Sequence, residues 1–179
     1  MTQEGSRRVL GAFPSFASQA SMSPRDGFER TLGGHGMSVY KHGRWGQPKK
    51  RLLMWDRNDR NSIYWCPDYS EMSSVMRMSE IPPDARKLSL HDIIEIRRGT
   101  EEDPLAPGYC GTATLRRCCA PTQYTYSISL ILRNRTIDIE FVSKADFKKL
   151  VPSLLKYFKA FKESGGAEDV DVELDDVYY

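Results

Sequence analysis

No run in the 179-residue sequence approaches the ~20 consecutive apolar residues that cross a bilayer as a helix. The opening segment, MTQEGSRRVLGAFPSFASQASM, has no long apolar stretch, so a secretory leader is not expected. Thr2 stands where N-myristoylation needs glycine. Cysteine is scarce. Cys66, Cys110, Cys118 and Cys119 form no C-x-x-C pair, and none has a histidine at metal-ligand spacing. Free thiols in a reducing compartment are the expectation, with no metal and no cofactor. His35, His42 and His91 show no partner pattern for metal binding or catalysis. Gly33-Gly34-His35-Gly36 lacks the Lys-Ser/Thr and the preceding strand of a phosphate loop, and reads as a flexible joint. With no nucleophile–base pair, metal set or phosphate loop legible, the chain is expected not to be an enzyme.

Charge is present but unevenly spread. The net charge of +2 divides into +1 over residues 1–36, +7 over 37–164 and −6 over 165–179. The first stretch, rich in Ser, Gly and Arg, reads as a flexible arm. The last, which opens on Gly165-Gly166, reads as an acidic flexible tail. The body between them is expected to be the folded domain. A basic body suits an anionic partner, although a solvated surface with a solubilising tail has the same composition. Residues 168–176 could also fold back on the basic body and compete with that partner. Cys118 and Cys119 follow Arg116-Arg117, a setting that would also suit acylation at a membrane.

Within the body strand signals dominate. Met37–His42, Arg51–Asp56, Ser62–Cys66, Lys87–Leu90 and Asp92–Arg98 read as strands, with a turn at Arg57-Asn58-Asp59-Arg60. Thr125–Leu132 and Arg135–Val142 flank Arg133-Asn134 as a hairpin. Alternation there puts Ile137, Ile139 and Phe141 towards a core, with Thr136, Asp138 and Glu140 on the opposite face. Residues 67–86 and 99–123 read as long loops. From Ser143 the period changes. Phe147, Leu150, Val151, Leu154, Leu155, Phe158 and Phe161 recur at three and four, which predicts an amphipathic helix over 143–162 capped by Ser143. Pro152 should kink that helix or mark a late start. The expected fold is mainly β: a seven-stranded, strongly bent antiparallel barrel or sandwich capped by one C-terminal helix.

That order resembles the pleckstrin-homology (PH) domain over residues 37–162, and most closely the type at the start of phosphoinositide-specific phospholipases C. The resemblance is carried by Tyr40-Lys41-His42-Gly43-Arg44 with Pro48-Lys49-Lys50-Arg51-Leu52, by Ile63-Tyr64-Trp65 with the stretch from Leu88 to Gly99, and by 127–131 and 135–140 leading into the helix. Leu150 aligns where the family usually carries tryptophan. With the chain ending at Tyr179, the resemblance implies a recruiting module without a catalytic barrel, cytoplasmic and peripheral on a membrane or on a cytoskeletal or ciliary scaffold.

The resemblance also implies a headgroup site in the first strand–strand loop, built by Lys41, Arg44, Lys49 and Arg51. Lys49 and Arg51 share a strand face while Lys50 points away. Lysine supplies a point charge to phosphate and arginine a planar fork. Trp45, at the loop tip, suits a shallow membrane anchor. Lys-Lys-Arg at a strand start is equally the pattern of a solvated edge. The runner-up function is protein docking, through an apolar patch in 67–86 or 99–123. Arg77, Arg86 and Lys87 could reach the same pocket, Met72, Met76 and Met78 could pack on the barrel, and Tyr64, Trp65, Tyr124 and Tyr126 read as core or strand-face residues. Anionic lipids, and alternatively a protein scaffold, are the expected partners; nucleic acid is not.

Overall fold

The structure, a computed structural model, describes residues 30–33, 36–68 and 81–166. Arg77, the three loop methionines and the acidic stretch 168–176 lie outside the described residues. β1 (Met37–His42), β2 (Lys49–Asp56), β3 (Asp59–Pro67), β4 (Arg86–Ser89) and β5 (Ile93–Arg98) are followed by a short pair, β6 (Glu102–Asp103) and β7 (Ala106–Cys110). Then come a short helix α1 (Ala113–Cys118), a 3-10 turn at Pro121–Tyr126, the hairpin β8 (Ser127–Leu132) and β9 (Thr136–Phe141), and the helix α2 (Lys144–Glu163). Seven strands make one antiparallel sheet in the order β4-β3-β2-β1-β9-β8-β5. β1 therefore sits at the centre, between two groups of strands that follow it in the chain.

Alternation decides the inner face. Met37 and Val39 of β1, Leu53 and Trp55 of β2, Ile63 and Trp65 of β3, Ile128 and Leu130 of β8, and Ile137, Ile139 and Phe141 of β9 all enter one core. The buried stripe of α2, Leu150, Val151, Leu154, Tyr157, Phe158 and Phe161, joins it. The Ser143 cap is present: its hydroxyl accepts from the Asp146 amide at 3.1 Å. Pro152 marks no late start, since the helix begins at Lys144 and Pro152 is on its exposed side. Leu150 is fully buried where the resembled family carries tryptophan.

Three expectations change. Residues 99–123 are not a single loop, since they form β6, β7 and α1, and the predicted start of β8 at 125–126 belongs to the 3-10 turn. Asp103 holds this segment down, with Arg116 Nη1 at 3.0 Å and Arg97 Nη1 at 3.5 Å. Secondly, the alternation leaves Asp138 and Glu140 opposite the core, as expected, but that face is covered too: Asp138 is 1% and Glu140 8% exposed. Asp138 accepts from the hydroxyls of Thr112 (2.6 Å), Ser129 (2.6 Å) and Thr136 (2.8 Å), the arrangement a buried carboxylate needs. Thirdly, Leu32, assigned to the arm, is in the core, and Gly36, with φ +68°, packs where an added Cβ would lie 2.7 Å from the Leu53 carbonyl.

Candidate functional site

The apolar inner rows end at one rim of the sheet, and there they become cationic. On β1 the row Met37, Val39 continues to Lys41; on β2 the row Trp55, Leu53 continues to Arg51 and Lys49. Register then gathers them, with Lys41 opposite Lys49, Val39 opposite Arg51, and Arg86 of β4 opposite Trp65 of β3. A cleft of about 420 Å³ opens on this rim, with Lys41, Lys49, Arg51, Arg86 and one carboxylate, Asp84, in its wall and Trp65 at its side. Lys41 Nζ lies over the Trp65 ring, 5.9 Å from the centroid. Lys50, on the other face of β2, instead pairs with Asp68 at 3.3 Å.

A second cleft, of about 530 Å³, adjoins the first and shares Lys41, Trp65 and Arg86. Arg44, Lys87, Arg135 and Asp138 contribute to it. Arg44 thus stands on the second cleft and not with Lys49 and Arg51. Its carbonyl and that of Gly43 accept from Arg117, which ties the first loop to α1. Trp45 is 84% exposed, with Arg117 over its ring at 5.8 Å. Lys87 is engaged by Asp59 at 2.5 Å. Among the described residues, no ion pair involves Lys41, Lys49, Arg51, Arg86 or Arg135.

The electrostatics follow. Burial pushes the Lys41 ammonium below its ordinary 10.5, and the nearby cations Arg135, Arg86 and Arg51 push the same way, against the pull of Asp138. The arrangement concentrates positive charge around one half-buried lysine, a setting that an incoming polyanion relieves. Sequence reasoning missed Arg135 and the role of Trp65, and offered Arg86, with Arg77 and Lys87, as charges that could reach the pocket. Their signal was parity with the core rows, which becomes useful only when strand neighbours are known.

On the outer face lies a different group. His42 Nε2 is 3.0 Å from Glu140 Oε2 and 3.4 Å from Cys119 Sγ, and Cys119 Sγ is 3.8 Å from Glu140 Oε2. The expectation that the histidines lack partners is thus corrected for His42. Burial first, and the Glu140 carboxylate next, push the Cys119 thiol up to about 12. Cys119 is buried, so of the vicinal pair Cys118 is the more accessible thiol.

No protein-family model matches the sequence, and no curated protein does. Solved structures to which the chain is similar include Inner Membrane Complex Sub-compartment Protein 1 of Toxoplasma gondii, at 19% identity over 82% of this chain and 99% of that one, with a TM-score of 0.47. Sub-compartment Protein 3 of the same organism gives 15% identity, 82% and 90% coverage and a TM-score of 0.46. The N-terminal PH domain of human ARAP2 gives 13% identity, 90% and 100% coverage and a TM-score of 0.43. These likenesses concern the path of the chain and not its ligands. The curled seven-stranded antiparallel sheet and C-terminal helix make the fold PH-like, as the sequence resemblance implied.

Proposed function

We propose that this chain is a non-catalytic membrane-recruitment module that binds the phosphate groups of anionic phospholipid headgroups, phosphoinositide or phosphatidic acid, at the cationic rim. The observation that carries this reading is the gathering of cations on two adjoining clefts, Arg51 on the first, Arg135 on the second and Lys41 and Arg86 on both, none of them in an ion pair among the described residues, with the Lys41 ammonium disfavoured by burial first and by these arginines next. Lys49 completes the wall of the first cleft, and Arg44 extends the positive surface to the second. Lys41, Lys49 and Arg51 are the first-loop cations that the PH resemblance implies, and Arg86 and Arg135 extend them. Trp45, exposed on the same loop, enters the interfacial layer of a membrane that the rim approaches. The protein then resides peripherally on the cytosolic face.

Co-sedimentation with vesicles carrying phosphoinositide, phosphatidic acid or phosphatidylserine at equal total charge tests this reading. Binding that ranks the monoester-phosphate lipids above phosphatidylserine, and weakens with salt, is expected. Absence of binding to all three moves the function to protein docking. Leu105, 94% exposed between β6 and β7, and Tyr109, 63% exposed on β7, favour that second reading and mark the surface to alter.

A pH signature is also expected. An anion in the cleft favours the charged form of Lys41 and raises its lowered pKa again. Binding therefore takes up protons in the alkaline range, and affinity falls as pH rises towards the ordinary lysine value of 10.5. Titration calorimetry with a soluble inositol phosphate, in two buffers of unlike ionisation heat, should show proton uptake in the wild type and a smaller uptake in Lys41→Met. Equal heats in both buffers for the wild type would refute the linkage.

A further inference from the structure

The buried group on the outer face has the composition of a Cys–His–acid catalytic triad but not its geometry. In a triad the imidazole uses one nitrogen for the nucleophile and the other for the acid. Here Glu140 Oε2 is 3.0 Å from Nε2 of His42, whereas Cys119 Sγ is 3.4 Å from Nε2 and 3.8 Å from Nδ1, almost equidistant from the two nitrogens and so over the face of the ring. A thiol over the ring face is not placed to give its proton to either nitrogen. Close approach of a sulfur, a nitrogen and an oxygen is instead the composition of a coordination site.

The donor separations fit one once the imidazole turns to aim its Nε2 lone pair between the sulfur and the carboxylate. With metal–sulfur bonds of about 2.3 Å and metal–nitrogen and metal–oxygen bonds of about 2.0–2.1 Å, separations of 3.0–3.8 Å correspond to angles at the centre of roughly 95–120°, the tetrahedral range. All donor atoms of the group lie within 4.8 Å of one another, and all three residues are buried. Charge fits as well: one thiolate and one carboxylate neutralise a divalent ion, so the occupied centre adds no net charge to the interior. The carboxylate is already oriented, because Gln123 Nε2 donates to its other oxygen, Oε1, at 2.7 Å. From these observations we infer that His42, Cys119 and Glu140 bind one zinc-class divalent cation, with the fourth position left to water. On binding, the thiol releases its proton to solvent and a neutral imidazole carries its proton on Nδ1. A mixed S, N, O donor set suits zinc and excludes magnesium and calcium, which take oxygen. The ion would staple the end of β1, the segment after α1, and β9. Since His42 follows Lys41, the staple would also steady the cationic rim, but the inference is independent of what the rim binds.

Cobalt(II) is the probe, added to metal-free, tag-free protein. The expected result is a one-to-one titration with a near-ultraviolet thiolate-to-cobalt charge-transfer band and visible bands of four-coordinate intensity, bleached by zinc. The bands should be lost in Cys119→Ser and His42→Gln and retained in Cys118→Ser. In the wild type, zinc should also raise the thermal midpoint, a readout that needs no variant. Absence of the charge-transfer band in the wild type would overturn the assignment. So would bands that persist in Cys119→Ser or vanish in Cys118→Ser, since either places the ion elsewhere.

Discussion

Replacing Lys49 and Arg51 together with alanine is expected to weaken vesicle binding by about 30-fold. Each cation held against an anionic surface contributes about 1 kcal/mol, so two give about 2 kcal/mol, and 1.4 kcal/mol is tenfold. Specific hydrogen bonds from the arginine fork to phosphate would enlarge the loss. The decisive control is Lys50→Ala. It removes one positive charge from the same strand, where the double variant removes two, but Lys50 faces Asp68 on the other side of β2. A general attraction to the membrane would weaken by about fivefold for each cation lost, Lys50 included, whereas a headgroup site in the cleft leaves Lys50→Ala at the wild-type affinity. Co-sedimentation of the three proteins at physiological salt reads the difference. An unaffected double variant would return the Lys-Lys-Arg run to a solvated strand edge and leave docking through β6 and β7 as the function.

The largest expected effect on stability is at Leu150. Its side chain is fully buried in the core shared by α2 and the sheet, where removing a leucine to alanine costs about 2–5 kcal/mol through lost burial and the cavity left behind. For a domain of this size that corresponds to a thermal midpoint lower by roughly 10 °C. Leu155, on the same helix but only half-buried, should lose less than half as much when replaced by alanine. Thermal unfolding followed by circular dichroism compares the two. Equal losses would mean that depth of burial in the core does not set the cost at Leu150.

The periodic parts of this fold were legible in the residues. Alternation over Arg135–Val142 and the three-and-four spacing from Phe147 to Phe161 give β9 and α2 nearly to the residue, and the Ser143 cap with them, because each depends on neighbours within one element. The same alternation told that Asp138 and Glu140 face away from the core. It could not tell that α1, the 3-10 turn and Thr112 cover that face, since coverage depends on segments with no period of their own.

The rim follows the same division. Lys41, Lys49 and Arg51 were recognisable as a basic pair of strand ends. That Arg86 and Arg135 join them, that Arg44 stands on the neighbouring cleft, and that Trp65 flanks both are consequences of register and sheet order. The group on the outer face was beyond sequence reading altogether. His42 and Glu140 are 98 positions apart and His42 and Cys119 are 77 apart, and no local spacing links them. The sequence by itself determined the seven strands of the main sheet and the long C-terminal helix, their inner faces and the sign of the body's charge, because those arise from each residue's preference for water or core beside its nearest neighbours. Which charges meet at the rim, and which donor atoms meet behind β1, only the tertiary structure decided, because antiparallel pairing of distant strands brings together residues that chain connectivity alone leaves unrelated.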